Sequence, residues 1–259
     1  MDFPRALRDC RTHRHLSQLD LALRAGTTQR HLSFIESGRS VPGRNMVLRL
    51  AESLELPLRE RNELLVAAGY VPVYPEHSFD DPVLAPVRTA IEHIVRGHLP
   101  YPALVVDRNG DLIAANDAFD LITEGAAPEL VGPGKNVYRL ALHPEGLAPR
   151  IRNLAEWARH ILARLGHVAE LRAELTRYVP DLAPSDGQLG FAVPLHLGSS
   201  RGDLRLMTTV TTFATAVDVT LAELKLEAFL PVDPATASAL TGAAGAVPPA
   251  APGQAPGNM

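Results

Sequence analysis

Between Phe3 and Tyr70 apolar side chains return every three or four residues, and four short breaks rich in Gly, Pro, Ser or Thr interrupt the run. That period belongs to the α-helix, so the segment is confined to five short helices and excluded from a sheet. The first runs from about Pro4, tolerated in a first turn, to Arg14. The second opens at Leu16-Ser17-Gln18-Leu19-Asp20, where Ser17 suits the N-cap and Asp20 completes a capping-box variant; it closes at Ala25-Gly26. Thr28 caps the third, which carries Gln29-Arg30-His31-Leu32-Ser33-Phe34-Ile35-Glu36 and stops at Ser37-Gly38. The fourth spans about Asn45 to Leu54 and the fifth about Leu58 to Ala68, ahead of Gly69-Tyr70. Val71-Pro72-Val73-Tyr74-Pro75 ends the helical pattern.

Two helices joined by a tight glycine turn have a narrow set of faces. In the second and third, Leu16, Leu19, Ala22, Leu32 and Ile35 are the expected core positions, with small Ala22 at the crossing. Gln29, Arg30, Ser33 and Phe34 then occupy the outer face of the third helix. The chemistry there suits a DNA major groove: Gln pairs with adenine, Arg with guanine, and an exposed Phe meets a thymine methyl. Gln18 and Thr28 stand at helix starts, where side chains and unpaired backbone N–H groups reach phosphates. Arg39, Arg44 and Asn45 flank the third helix and add backbone contacts. Charge is consistent with this: residues 1–70 hold eleven Arg, no Lys and eight acidic residues, a net +3, whereas the remainder carries −7. An Arg fork makes paired hydrogen bonds that Lys does not.

Residues 72–81, rich in Pro and acid, read as a linker between an N-terminal domain (1–71) and a second domain (82–235). The second begins with a helix, Leu84 to His98, after which the period changes. Ala103 to Asn116 holds two short β-rich runs around Asp107-Arg108-Asn109-Gly110, a tight hairpin signal. Asn116 is the expected cap of a helix beginning Asp117-Ala118-Phe119. A long amphipathic region, about Pro149 to Tyr178, has Ile151, Leu154, Trp157, Ile161, Leu165, Val168, Leu171 and Leu175 at helical spacing. From Gly190 the period is two, in Phe191–Leu197, Leu204–Ala214 and Leu221–Pro231, all read as strands. The tail from 236 to 259 is Ala, Pro and Gly, with no means of burying a core, and reads as disordered. The fold class is therefore α plus α/β, a five-helix domain followed by a domain with an antiparallel sheet.

The motifs Leu16-Ser17-Gln18-Leu19-Asp20-Leu21-Ala22, Ala25-Gly26-Thr27-Thr28, Ile35-Glu36-Ser37-Gly38-Arg39, Leu50-Ala51 and Ala68-Gly69-Tyr70 resemble the Xre (Cro and phage-repressor-like) helix-turn-helix domains across residues 3–70. Asp20 stands where Glu is usual. The resemblance implies a transcriptional regulator whose third helix enters the major groove, with Gln18 on a phosphate, an Arg11–Glu36 ion pair between helices, and a homodimer on half-sites of double-stranded DNA.

Pro102–Val106, Gly110–Phe119, Asn136-Val137-Tyr138-Arg139-Leu140 and the strand ending Phe229-Leu230-Pro231 resemble the PAS-like ligand-binding domain of MmyB-like regulators. The segment between Tyr178 and Gly190 is shorter than in that family and lacks its Trp. The resemblance implies a small apolar ligand of the fatty-acid class between sheet and helices. The residues placed to line such a pocket are Phe119, Tyr138, Trp157, Ile161, Phe191 and Phe213, although aromatics at these spacings are core more often than ligand contacts. No metal is expected: His93, His98, His143, His160, His167 and His196 lack ligand spacing, and the single Cys10 has no thiol partner. No phosphate loop, nucleophile motif or zinc-protease pair is present, so an enzyme is not the reading, and no cofactor is required. The absence of a signal-like N-terminus and of an ~18-residue apolar run leads to the expectation of a cytoplasmic protein without membrane contact. An alternative stays open, in which a protein partner, as for an antitoxin, replaces the small molecule.

Overall fold

A computed structural model describes residues 2–165, 168–179, 193–213 and 216–242. The chain divides into two compact units, one of residues 1–84 with 213–223 and one of 85–212 with 224–259.

In the first unit the five expected helices are α1 (Phe3–His13), α2 (Gln18–Arg24), α3 (Gln29–Glu36), α4 (Arg44–Ser53) and α5 (Leu58–Ala67). Their ends follow the chemistry of the sequence. Ser17 accepts from the Asp20 amide while the Asp20 carboxylate takes the Ser17 amide, which closes the capping box. The Thr28 hydroxyl caps α3 by accepting from the His31 amide. Leu7, Leu21, Ala22, Leu32, Ile35, Val47, Leu50, Leu54 and Leu65 form the core. One expectation is corrected here. Leu19 is 49% exposed and Leu16 only half-buried, because α2 turns Leu21, Ala22 and Ala25 inward, one stripe of a helix that starts at Gln18.

Two further segments pack onto α5. The Asn62 side chain accepts from the Val73 and Tyr74 amides and donates to the Tyr74 carbonyl, so residues 73–74 lie along the helix like an extra strand. The second segment comes from far along the chain. It contains α11 (Val219–Glu223), where the sequence suggests the start of a strand. Val219 is fully buried and donates its amide to Pro75, and the Thr220 hydroxyl donates to the His77 carbonyl. Asp218 receives both the backbone amide and Nδ1 of His77, the latter at 2.7 Å. Arg59 on α5 grips Glu223 through two hydrogen bonds of 2.8 and 2.9 Å and meets Glu76 at 2.6 Å.

The second unit opens with α6 (Ala85–Gly97) and holds one antiparallel sheet. Its strands are β1 (Ala103–Val106), β2 (Leu112–Ala115), β3 (Leu195–Ser199), β4 (Gly202–Thr212) and β5 (Lys225–Pro231), in the order β2-β1-β5-β4-β3. Helices α7 (Phe119–Thr123), α8 (Val137–Leu142), α9 (Leu154–Arg164) and α10 (Ala169–Tyr178) supply side chains to the same core as the strands. The amphipathic region expected over 149–178 holds two helices, with Leu165 ending the first. The hairpin of β1 and β2 turns at Gly110, whose φ of +90° is a left-handed conformation that Gly adopts freely. Asn116 is not a side-chain cap. It is buried, accepts from the Ala103 amide and donates to Val95 and Tyr101, so it ties the end of α6 to the start of β1. The capping role falls to Asn136, whose carbonyl accepts from Tyr138 and Arg139 at the head of α8. A last helix, α12 (Pro234–Thr241), stands where the sequence has only the beginning of an unstructured tail. Pro234 opens it, Asp233 accepts from the Thr236 amide, and Thr236 and Leu240 are buried.

Candidate nucleic-acid interface and ligand cavity

The first candidate site is the outer side of α3. Leu32, Ile35 and Glu36 point into the unit, which leaves Gln29 and Arg30 exposed and Ser33 and Phe34 half-exposed. What holds α3 at this angle is electrostatic as well as apolar. Glu36 is only 2% exposed, yet its carboxylate receives two hydrogen bonds from Arg11 at 2.6 and 2.9 Å and one from the Gln18 amide at 2.8 Å. Arg8 adds a hydrogen bond to the Glu36 carbonyl. Burial alone would raise the Glu36 pKa, but the bonds from Arg11 and Gln18 and the nearby guanidinium charges outweigh it and hold the carboxyl below its ordinary range.

Gln18, read from sequence as a phosphate contact, therefore spends a side-chain N–H on Glu36 inside the protein. Thr28 is exposed beside the start of α3, and Arg44 and Asn45 are exposed at the start of α4, with Gly43 before them. Arg39 follows the turn at Gly38, whose φ is +71°. Its guanidinium lies 5.9 Å from the centroid of the Phe34 ring, and that of Arg30 lies 5.4 Å from the same ring. The pairing of Phe34 with two arginines was not legible in the sequence, because it depends on the turn that brings Arg39 back over α3.

The second candidate site lies in the core of the other unit. A cavity of about 40 Å³ is surrounded mostly by apolar groups, among them Leu104, Phe119, Tyr138, Trp157, Ile161 and Phe229. Four of the six residues placed in a pocket from sequence are thus brought together: Phe119, Tyr138, Trp157 and Ile161. Phe191 lies outside the described residues. Phe213 does not border the cavity; β4 ends at Thr212 and Phe213 begins the segment grouped with the first unit.

Sequence reasoning missed the polar part of this wall. Arg164 on α9 and Glu227 on β5 form a close ion pair beside the cavity, with the Arg164 guanidinium also 5.9 Å from the Tyr138 ring. Burial works against the charge on Arg164, and Glu227 more than compensates, raising its pKa. An inward Glu in the middle of a strand otherwise rich in Leu, Ala and Phe was the available signal. Next to it His160 stacks on Trp157 at 5.3 Å, and desolvation followed by the Arg164 charge lowers its pKa. Among the described residues no three His, Cys, Asp or Glu side chains gather as metal ligands would. No described helix is long and apolar enough to cross a membrane.

The family model described as the MmyB-like transcription regulator ligand binding domain matches residues 87–242. The chain belongs to that family. A second model, described as helix-turn-helix, matches residues 7–61 of this MmyB-like regulator. The two matches place a helix-turn-helix segment ahead of the ligand-binding domain of a transcription regulator. No curated protein sequence matches the regulator. A solved structure titled "Structure of an RNA-binding Light-Oxygen-Voltage Receptor" is similar at 15% identity and a TM-score of 0.27. That match covers 85% of the regulator and 54% of the other chain, about half its length.

Proposed function

We propose that the regulator binds double-stranded DNA as a homodimer through α3, with Gln29 and Arg30 reading base edges, and with Thr28, Arg39, Arg44 and Asn45 at phosphates. The observation that carries this reading is the division of α3 into a buried face and an outer face holding Gln29, Arg30, Ser33 and Phe34. Gln18 keeps a phosphate role through its second amide hydrogen, its first being committed to Glu36. On a duplex enriched by the protein from a random pool, Arg30→Ala is expected to cost about 1–3 kcal/mol and to relax preference at one base pair. Arg39→Ala is expected to weaken enriched and random duplexes alike and to lower the salt dependence by about one contact. Equal losses on both duplexes for Arg30→Ala would remove its base-reading role.

The same proposal assigns a small apolar ligand of the fatty-acid class to the cavity at Trp157. Support comes from the family and from the apolar lining. A cavity of about 40 Å³ is far below the ~300 Å³ and more that such ligands occupy, so binding requires α7, α8 or α9 to move outward. Trp157 is the chain's single tryptophan, so its fluorescence reports occupancy directly. Titration with myristate should change that emission saturably, and native mass spectrometry should show one ligand per chain. The small cavity favours a second reading, in which a protein partner controls DNA binding; unchanged Trp157 emission with every fatty acid would select it.

A further inference from the structure

We propose that Arg30 and Phe34, with Arg39 bracing the Phe34 ring from its place at a phosphate, form one composite reading element for a pyrimidine bearing a 5-methyl group next to guanine, so that TpG and 5-methyl-CpG steps are bound alike and plain CpG less well. This rests on the assignment of α3 to the major groove. Arg30 and Phe34 are one helical turn apart on the outer face, and their separation of 5.4 Å places the guanidinium over the ring. Arg39 is brought to the same ring by the backbone: its amide donates to the Phe34 carbonyl at 2.8 Å across the Gly38 turn, and its guanidinium lies 5.9 Å from the ring. The fold therefore sets the backbone positions from which the three side chains meet.

Neither guanidinium has a described carboxylate partner or hydrogen bond. Arg8, Arg11, Arg14, Arg59 and Arg61 of the same unit, in contrast, each meet an acidic side chain. An arginine stacked by its face on an aromatic ring keeps its in-plane N–H groups, and these are the atoms that pair with O6 and N7 of guanine. The ring itself has no hydrogen-bonding capacity and offers only an apolar edge, for which the matching group in the major groove is the methyl at C5. The 5.4 Å between the Arg30 guanidinium and the Phe34 ring centroid is less than two base-pair steps of ~3.4 Å each, so the methyl and the guanine they contact lie on neighbouring pairs. Thymine and 5-methylcytosine present the same methyl at the same place, so methylation converts a poor step into a good one.

The test uses the full chain and a duplex enriched by it from a random pool, with affinity read by fluorescence anisotropy. Each thymine is replaced in turn by uracil, which removes only the methyl, and each guanine by 7-deazaguanine, which removes only N7. At one step per half-site, uracil is expected to weaken binding about fourfold, the worth of one buried methyl group. Changing that TpG to CpG should weaken it to a similar extent, and 5-methyl-CpG should restore the affinity of TpG. Phe34→Leu keeps the half-buried volume and retains part of the preference, whereas Phe34→Ala, checked for folding by its thermal transition, should bind thymine and uracil duplexes equally. Uracil as good as thymine at every position, or a methyl preference unchanged in Phe34→Ala, overturns the composite element while leaving DNA recognition by α3 intact. Failure to enrich any sequence overturns both.

Discussion

Glu36 shows how a single side chain can set the angle of a surface. A carboxylate buried without partners would neutralise itself or unfold its surroundings; here Arg11 and Gln18 satisfy it, and Arg8 holds the adjacent carbonyl. Removing Arg11 leaves the buried Glu36 charge with only the neutral Gln18 amide and the more distant Arg8, at 3.8 Å, which costs more than the pair contributes. Arg11→Ala should therefore destabilise the first unit by about 3–5 kcal/mol in urea unfolding, and Glu36→Gln, which keeps the shape and the Gln18 contact, by clearly less. Equal costs for the two would mean that packing, not charge, holds α3 in place. The ion pair was legible through the resemblance of Ile35-Glu36-Ser37-Gly38-Arg39 and Arg11 to a known domain, but the Gln18 contact was not. A Gln at a helix start has the same appearance in sequence whether it faces a phosphate or a buried carboxylate.

At the scale of elements, what could be read depended on whether the signal was local. The five helices of the first unit match their sequence limits closely because caps and glycine stops act within a few residues. The hairpin at Gly110 was legible for the same reason. Its glycine has a second duty that sequence did not reveal: an added Cβ would overlap the Tyr138 ring. Gly110→Ala is expected to lose about 2–4 kcal/mol, from left-handed strain and from crowding beside the cavity, measured by thermal unfolding. The amphipathic region over 149–178 gave no sign of the break after Leu165, because an apolar stripe at helical spacing does not mark where one helix ends. Across that region Arg139 on α8 holds Glu174 on α10 with two hydrogen bonds of 2.7 and 2.8 Å, and Tyr178 donates a third. Chiefly through Arg139, the Glu174 pKa falls to about 2 from an ordinary 4.5. A depressed pKa stabilises the fold fully above the unfolded value and loses that contribution as pH falls through the folded one. Stability owed to this tie should therefore be intact at pH 6 and fade between about pH 4.5 and 2. Glu174→Gln should flatten that part of the acid-unfolding profile; an unchanged slope would show that the tie contributes nothing.

For the molecule as a whole, the feature least visible in sequence is the composition of the first unit, which takes residues 213–223 from between two strands of the sheet. Periodicity reads neighbours along the chain, and the partners here are remote: Arg59 with Glu223, and His77 with Asp218. Glu223→Gln should remove one acceptor from Arg59 and cost about 1.5–3 kcal/mol, seen as faster amide exchange in α5 and residues 73–77. Exchange confined to residues 219–223 would instead show that α5 does not depend on this support. The arrangement also bears on how such chains can be recombined. A helix-turn-helix domain is often treated as a cassette that ends where the proline-rich segment begins and can be joined to any sensor. Here a cut at residue 84 would leave behind Val219 and Glu223, so the cassette has no single boundary, and a functional exchange of sensors must carry over a second, distant piece of sequence that fits Arg59 and Pro75.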